Sequence, residues 1–351
     1  MYTLMPININ YSFNFGVILI ALLICLIISG VLSVIFYSNS LDLSFFTLIV
    51  NSLNSFNYFY LRVFHNTFAN LFFLFIFFHI IRSWFYTSLN NIYVIISGII
   101  IFIISCAVAF FGYCLPMGQM SFWAAIVIFS LLSVVPYGSY IILYLFGSFS
   151  ISTRTLSLLF FLHFITPFIL LVLVFLHLHS LHLNLSSNTS MCDFLDLVTM
   201  LPSFLLIDFF IVFWLFLFIF VIVFFFGYFF FESANFVSFN SLVTPLHIYP
   251  DWFLLFPYAC LRSIDSKLYG VFLLIIILFA VFFSPLFLAY FNFSVLINFF
   301  HTIIFFFFVL LTFIGSHPSV YPYSVIIIYL QIFLYLLYFF YFFFIFLFYN
   351  F

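Results

Sequence analysis

Eight long apolar stretches, separated by short polar segments, constrain this chain more than any other feature. Each is long enough to cross about 30 Å of hydrocarbon as a helix that rises about 1.5 Å per residue. In lipid, a helix satisfies its backbone hydrogen bonds within one segment. We therefore predict membrane-spanning helices over residues 16–37, 62–86, 92–113, 156–179, 204–231, 268–290, 293–314 and 323–350.

The composition excludes several classes of protein. Only 3% of the 351 residues are charged, whereas soluble domains carry about 25%. A formal net charge of −2 with five Lys and Arg residues argues against nucleic-acid binding, which needs a basic surface. The five cysteines form no Cys-x-x-Cys pair, so a four-thiolate iron–sulfur cluster is not expected. Any redox centre in this chain would depend on histidine.

These features predict an all-α integral membrane protein with eight transmembrane helices, surrounded by a lipid bilayer. We divide it into residues 1–231, which hold the first five spans, and residues 232–351. The apolar segment 119–149 is interrupted by Pro136 and Gly138, so we expect a helical hairpin on the membrane surface between the third and fourth spans. Eight spans place both termini on one side of the membrane.

Four histidines share one spacing. His65 and His79 are 14 residues apart in the second span, and His163 and His177 are 14 apart in the fourth. Fourteen residues turn a helix by about 1400°, so each pair lies on one face, about 21 Å apart along the axis. Because the two spans run in the same direction, His65 can face His163 while His79 faces His177. Two imidazoles per site suit a haem iron used for electron transfer, whereas zinc needs more ligands.

Four glycines repeat this spacing. Gly16 and Gly30 lie in the first span and Gly98 and Gly112 in the third, again 14 residues apart. A flat macrocycle inside a bundle needs neighbouring backbones to approach closely, which glycine permits. A simple role in helix packing is the alternative. Two cations, each three residues from a histidine, can pair with haem propionates or lie at the membrane interface: Arg62 and Arg82.

Five segments carry a resemblance to a known family. They are R-V-F-H-N-T-F-A-N-L-F-F (Arg62–Phe73), F-F-G-Y-C-L-P-M-G-Q-M-S-F-W (Phe110–Trp123), H-F-I-T-P-F from His163, H-L-H-S-L-H (His177–His182), and P-L-H-I-Y-P-D-W-F-L-L-F-P-Y-A-C-L-R-S-I (Pro245–Ile264). Together they resemble the cytochrome b family of respiratory cytochrome bc1 complexes. The resemblance covers the chain from about residue 14 to its end.

The resemblance implies two non-covalently bound b-type haems in a four-helix bundle. His65 and His163 would hold one near the intermembrane space, and His79 and His177 the other near the matrix. The four glycines correspond to the close-approach positions of the family.

The resemblance also implies two quinone sites. For quinol oxidation it implies a proton acceptor, Asp251, and a pocket formed by Tyr113, Pro116, Ala124, Pro250, Trp252, Phe253 and Tyr258. For quinone reduction on the opposite side it implies His182, Ser186 and Asp208, with His182 and Asp208 as proton donors or quinone ligands.

The sequence departs from the family pattern at several of these positions. Asp251 replaces a Glu of similar reference pKa, about 3.9 against 4.3, and Phe253 replaces a Tyr. Ala124 replaces a Gly, so we expect a narrower quinol pocket and weaker binding of methoxyacrylate-type inhibitors. An inhibition titration would check this expectation. Further departures are Met117 for Trp, Leu158 for Arg, and Ile207 for Lys; Arg154, one turn from Leu158, is a candidate replacement for that missing charge.

The implied activity is that of the core catalytic subunit of a quinol:cytochrome c oxidoreductase. Electrons from ubiquinol would pass through the two haems to a quinone-reduction site, and a Q cycle would couple this transfer to proton translocation. The implied partners are the Rieske iron–sulfur protein, cytochrome c1, other complex III subunits and a second copy of the chain. The implied location is the mitochondrial inner membrane, with both termini on the matrix side.

Three alternatives remain open from the residues alone. A dihaem membrane anchor of another family, such as a formate-dehydrogenase-like subunit, would have another span count and would lack the P-M-G-Q-M-S-F-W and P-D-W-F loops. A secondary transporter or a proton-antiporter subunit of complex I would need ionisable residues within its spans, whereas Glu232 and Lys267 lie at span ends. A lipid-embedded scaffold would not need the matched histidines.

Overall fold

The computed structural model describes residues 4–6, 9, 11–85, 92–148, 150–184, 197–288 and 294–349. Most of these residues are helical, because a helix satisfies the backbone hydrogen bonds of a long apolar segment within that segment. The helices are α1 (Phe15–Val34), α2 (Ser44–Asn54), α3 (Phe56–Phe85), α4 (Ile92–Cys114), α5 (Gln119–Leu131), α6 (Gly138–Phe146), α7 (Thr153–Asn184), α8 (Ser203–Phe226), α9 (Leu255–Arg262), α10 (Lys267–Leu288), α11 (Ser294–Gly315) and α12 (Tyr323–Tyr349).

Six helices in the described part of the chain are long and apolar enough to cross a membrane. They are α1, α3, α4, α8, residues Thr153–Leu183 of α7 and residues Tyr323–Phe343 of α12. Each corresponds to a predicted span, so the predicted long apolar helices are confirmed at these six places. Shorter apolar stretches cover Lys267–Val281 of α10 and Phe299–Gly315 of α11. The total of eight spans therefore stays a prediction.

The structure contains elements that the apolar pattern did not predict. Helix α3 begins at Phe56, six residues before the predicted span, and α2 lies in what was expected to be a connection. Strand β1 (Leu4–Pro6) pairs in antiparallel fashion with β2 (Leu197–Thr199). Strands of three residues are too short to produce a recognisable period in the sequence.

The chain divides into two compact units. The first comprises Met1–Arg82, Asn90–Ala125 and Leu143–Thr244, and the second Ser83–Leu89, Ile126–Ile142 and Pro245–Phe351. In the first unit α4 packs along α7, and α1 packs against α7 and α8; in the second unit α9 packs against α10, α11 and α12. The division predicted between residues 231 and 232 stays a prediction.

The segment predicted as a hairpin contains two helices. Helices α5 and α6 lie on either side of residues 132–137, which begin with a 3-10 turn, Leu132–Val134. The interruption falls at Pro136, which has no backbone N–H to donate and whose ring disfavours a continuing helix. The position of this segment on the membrane surface stays a prediction.

The start of α5 is fixed by a loop more than a hundred residues further along the chain. The Gln119 side chain accepts a hydrogen bond from the Asn240 backbone N–H (2.7 Å) and donates one to the Val243 carbonyl (2.5 Å). Asn235 Oδ1 accepts from both the backbone N–H (2.8 Å) and the hydroxyl (3.0 Å) of the fully buried Ser121. A Cβ on Gly118 would come within 2.7 Å of Asn235 Cα. The G-Q-M-S sequence thus attaches residues 235–243 to α5.

We predict that Asn235→Ala destabilises this attachment. It would leave the buried Ser121 N–H and hydroxyl without their acceptor, at a cost of about 1–3 kcal/mol. Hydrogen–deuterium exchange of the purified chain would then show faster exchange at residues 119–123. Asn235→Asp keeps an oxygen at the same position and is the matched control, which should exchange as the parent does. Equal exchange in the alanine variant would contradict the prediction.

Candidate functional site

The four histidines meet in two facing pairs inside the first unit. The ring centres of His65 on α3 and His163 on α7 are 6.3 Å apart, with 79° between the ring planes. The ring centres of His79 and His177, on the same two helices, are 6.4 Å apart, with 65° between the planes. We call these the His65 pair and the His79 pair. The pairing expected from the 14-residue spacing is thus present in the structure.

The gap within each pair fits one metal ion. A bond from imidazole nitrogen to a metal ion is about 2.0 Å long and the ring centre lies roughly 1 Å beyond the nitrogen, so an ion midway would separate two ring centres by roughly 6 Å. Direct ring packing is the alternative. Each pair supplies two nitrogen ligands, and the described residues contain no group of three or more His, Cys, Asp and Glu side chains that could hold a metal ion. The donor set suits a metal whose other ligands belong to a macrocycle.

Hydrogen bonds at Nδ1 set the tautomer of three of these rings. His65 Nδ1 lies 2.9 Å from Ser29 Oγ, whose hydroxyl is 2.7 Å from the Cys25 carbonyl. His163 Nδ1 lies 2.9 Å from the Val108 carbonyl. A carbonyl only accepts, and a serine hydroxyl already donating to its own helix has only acceptor capacity left. Nδ1 therefore carries the proton, and the Nε2 lone pair is available to a metal.

The His79 pair is bonded less completely. His177 Nδ1 lies 2.9 Å from Ser97 Oγ, which donates to the Val94 carbonyl at 3.0 Å. His79 Nδ1 is buried and has no hydrogen-bond partner among the described residues. Within this pair, only His177 has its ring orientation fixed by an Nδ1 hydrogen bond.

The four glycines each face one histidine. A Cβ built on Gly112 would lie 2.5 Å from Cε1 of His163, one on Gly30 3.2 Å from that of His65, one on Gly98 3.3 Å from that of His177, and one on Gly16 3.8 Å from that of His79. The sequence predicted close approach to a macrocycle edge. The structure places each glycine beside an imidazole as well, and Gly112 has the least room.

The two arginines proposed as propionate partners make contacts within the first unit. Arg62 Nη1 donates to Ser52 Oγ at 2.7 Å. The guanidinium carbon of Arg82 lies 3.5 Å from the ring centre of Phe13, a cation–π contact. Contact of either arginine with a propionate stays a prediction.

The 3-10 turn Tyr11–Asn14 connects one candidate quinone-reduction residue, Asp208, to the His79 pair. Asn14 donates a hydrogen bond from its side chain to Asp208 Oδ1 on α8. The next residue but one is Gly16, which faces His79. His182 lies exposed near the end of α7, and Ser186 lies outside the described residues.

One candidate quinol-oxidation segment follows α4. Met117 is fully buried and has a left-handed backbone with φ of 51°, a conformation that costs free energy in any residue but glycine. Ala124 is 6% exposed, so the methyl group that distinguishes it from glycine is packed against neighbouring residues. The Tyr37 hydroxyl donates to the Leu115 carbonyl at 2.8 Å. In the sequence, Tyr113 stands two residues before Leu115 and Pro116 directly follows it.

The other candidate segment lies in the second unit. Pro250 and Asp251 precede a 3-10 turn, Trp252–Leu254, whose Phe253 is 5% exposed. The Tyr258 hydroxyl donates to the Ile248 carbonyl at 2.5 Å, which closes this segment into a loop. The Arg262 guanidinium lies 5.1 Å from the Tyr258 ring and donates to the Ile314 carbonyl at 3.0 Å. Burial lowers the pKa of Arg262, and Tyr258 opposes that shift.

The match to known protein families identifies the kind of protein that contains these two histidine pairs. The chain matches a family model described as Cytochrome b/b6/petB over residues 1–185 and one described as Cytochrome b(C-terminal)/b6/petD over residues 238–345. The chain belongs to the cytochrome b family. Membership in this family implies binding of b-type haem, which the two histidine pairs fit.

Similar proteins support the assignment along most of the chain. Cytochrome b of Apis mellifera ligustica and cytochrome b of Myxine glutinosa are each 39% identical over 330 residues, covering 91% of this chain and 85% of the relative. Cytochrome b of Brachionus plicatilis is 36% identical over 332 residues, covering 91% and 86%. A chain of a solved structure named "Hyperthermophilic respiratory Complex III" has a TM-score of 0.86 at 24% identity, covering 96% of this chain and 91% of that one. That likeness shows the fold.

The sequence reasoning missed three residues of this cytochrome b site. Ser29 and Ser97, which bond the imidazoles, each stand one residue before a spacing glycine, so the repeated Ser-Gly dipeptide was the available signal. Asn14 stands two residues before Gly16, which is another of the four spacing glycines. No periodic pattern marks a single polar residue at a helix start, so Asn14 had to come from the structure.

We predict that Gly112→Ala displaces His163 and lowers the bound haem of this cytochrome b by about one per chain. The added Cβ would lie 2.5 Å from Cε1 of His163. Alanine usually stabilises a helix by about 1 kcal/mol relative to glycine, so weakening of α4 itself would not explain a loss. The measurement is a pyridine haemochrome count. Gly16→Ala, where the corresponding distance is 3.8 Å, should retain its haem; full retention in both variants would refute the steric argument.

Proposed function

We propose that this cytochrome b oxidises quinol and transfers electrons across the membrane through two b-type haems to a quinone-reduction site. In this proposal the chain is the core catalytic subunit of a quinol:cytochrome c oxidoreductase, the cytochrome bc1 complex. A Q cycle would couple the electron transfer to proton translocation. The observation that carries the proposal is the presence of two imidazole pairs on the same two helices, with ring centres 6.3 and 6.4 Å apart.

The ligand roles follow from hydrogen bonding. His65, His163 and His177 donate Nδ1–H to fixed acceptors, which leaves Nε2 for the metal, and His79 completes the second pair. These imidazoles would hold a b-type haem through two nitrogen ligands, and such a group would supply one-electron transfer rather than oxygen activation. Gly16, Gly30, Gly98 and Gly112 leave the space beside the imidazoles free of side chains. We assign Arg62 and Arg82 to the propionates.

The quinone roles rest on the family resemblance together with the local structure. We assign Asp251 as the acceptor of a proton from quinol. The residues that we assign to quinol binding are Tyr113, Pro116, Ala124, Pro250, Trp252, Phe253 and Tyr258. We assign His182, Ser186 and Asp208 to quinone reduction. The hydrogen bond from Asn14 fixes one carboxylate oxygen of Asp208, and the side chain of His182 lies exposed.

The proposed setting is the mitochondrial inner membrane. We place eight spans across it, with both termini on the matrix side and the α5–α6 hairpin on the opposite surface. The proposed partners are the Rieske iron–sulfur protein, cytochrome c1, other complex III subunits and a second copy of this chain. Oxidation of quinol yields two electrons and two protons, and the described residues offer no cluster ligands for a second electron path, so a separate acceptor protein is required.

We predict two b-type haems per chain in the native complex, with separable midpoint potentials. Removing a ligand should remove one haem, because a single imidazole holds the iron weakly. His177→Ala should therefore bind about half the haem of the parent by pyridine haemochrome count. Reduction of haem by added quinol, followed by difference spectroscopy, tests the electron input in the same preparation.

His179→Ala provides the matched control for that experiment. His179 is an exposed histidine on the same helix, two residues from His177, and it should retain both haems and the quinol response. A parent complex with one haem or none would overturn the four-ligand assignment. Two haems that quinol does not reduce would leave the ligands in place and overturn the quinol-oxidation role.

A further inference from the structure

The two serines that bond imidazoles occupy equivalent places in two helices. Ser29 precedes Gly30 on α1, and Ser97 precedes Gly98 on α4. Each serine contacts the Nδ1 atom of the histidine that the following glycine faces: His65 for α1 and His177 for α4. Each Ser-Gly dipeptide therefore provides both a hydrogen-bond acceptor and space for the same ring.

The direction of these hydrogen bonds follows from the serine's other partner. Ser29 Oγ is 2.7 Å from the Cys25 carbonyl and Ser97 Oγ is 3.0 Å from the Val94 carbonyl. A hydroxyl has one proton, and each serine donates it in a hydrogen bond to the carbonyl of its own helix. The serine oxygen therefore accepts a hydrogen bond from Nδ1–H of the imidazole. An imidazole that donates at Nδ1 becomes a more basic ligand at Nε2.

The two pairs differ in how many rings are held in this way. In the His65 pair, Ser29 bonds one ring and the Val108 carbonyl bonds the other. In the His79 pair, Ser97 bonds His177, while His79 Nδ1 has no partner among the described residues. Each serine-bonded ring also lies near a backbone carbonyl of the serine's own helix, Val94 for His177 and Leu26 for His65. In the His79 pair, therefore, only the ring of His177 is held by a hydrogen bond at Nδ1.

We propose that Ser29 and Ser97 are positioning residues, each of which fixes the tautomer and basicity of one axial histidine and lowers the midpoint potential of that haem only. The proposal rests on haem binding as given under the proposed function. A more basic ligand stabilises ferric over ferrous iron, so removal of the serine hydroxyl raises the potential. Because Val94 remains as an acceptor, we expect a moderate change for Ser97.

The test is a redox titration of Ser97→Ala in the intact complex. We expect the ferrous form of the His79-pair haem to be favoured about three- to tenfold, a rise of about 30–59 mV for one electron, while the other haem keeps its potential. The haem that disappears in His177→Ala identifies which spectral component belongs to this pair. Ser29→Ala should move only the His65-pair haem. Ser97→Thr retains a hydroxyl and should restore the parent potential.

Ser105→Ala is the matched control. Ser105 lies buried on the same helix and donates a hydrogen bond to the Ile101 carbonyl of that helix, 2.8 Å away, and among the described residues it hydrogen-bonds no histidine. It should shift neither haem. Unchanged potentials in Ser97→Ala, or equal shifts of both haems, overturn the positioning role although haem binding stands. Loss of haem in Ser97→Ala but not in Ser97→Thr or Ser105→Ala supports it, and a parent complex without two haems instead overturns the proposed function.

Discussion

The hydrogen bond at the far side of each imidazole ring is the constraint on which the rest of this structure depends. A metal ligand must present a lone pair in one direction, and a free imidazole can rotate and exchange tautomers. Ser29, Val108 and Ser97 remove that freedom for three rings. The helices that carry these acceptors, α1 and α4, must therefore stay in register with α3 and α7. The packing of α4 along α7 serves the geometry of the histidines as well as the burial of apolar surface.

Much of the site was predictable because helix geometry is regular. A spacing of 14 residues fixes the face and depth of two side chains without knowledge of the tertiary structure, and apolar length alone located the helices that carry them. The same regularity paired glycines with histidines. Helix periodicity does not reveal the acceptors Ser29 and Ser97, because each acts through one atom, and only the repeated Ser-Gly dipeptide marks them. Asn14 is similar: its link to Asp208 joins residues 194 positions apart.

The G-Q-M-S segment illustrates a second limit of sequence reasoning. A distinctive motif near a proposed pocket suggests direct contact with substrate. In the structure, Gln119 and Ser121 form hydrogen bonds with residues 235–243. Short elements such as α2 and the β1–β2 pair escaped prediction for a different reason, since they depend on tertiary contacts more than on an apolar period. A motif can therefore be specific to a family because it connects distant segments of the chain.

The unequal hydrogen bonding of the two histidine pairs also bears on how the protein is assembled. A ring already held in its binding tautomer loses little entropy when a cofactor arrives, whereas a ring that can still rotate must be ordered at that moment. Both rings of the His65 pair are held in advance, but only one of the His79 pair is. His79 is therefore the ring of the four whose orientation would have to be fixed when a cofactor binds.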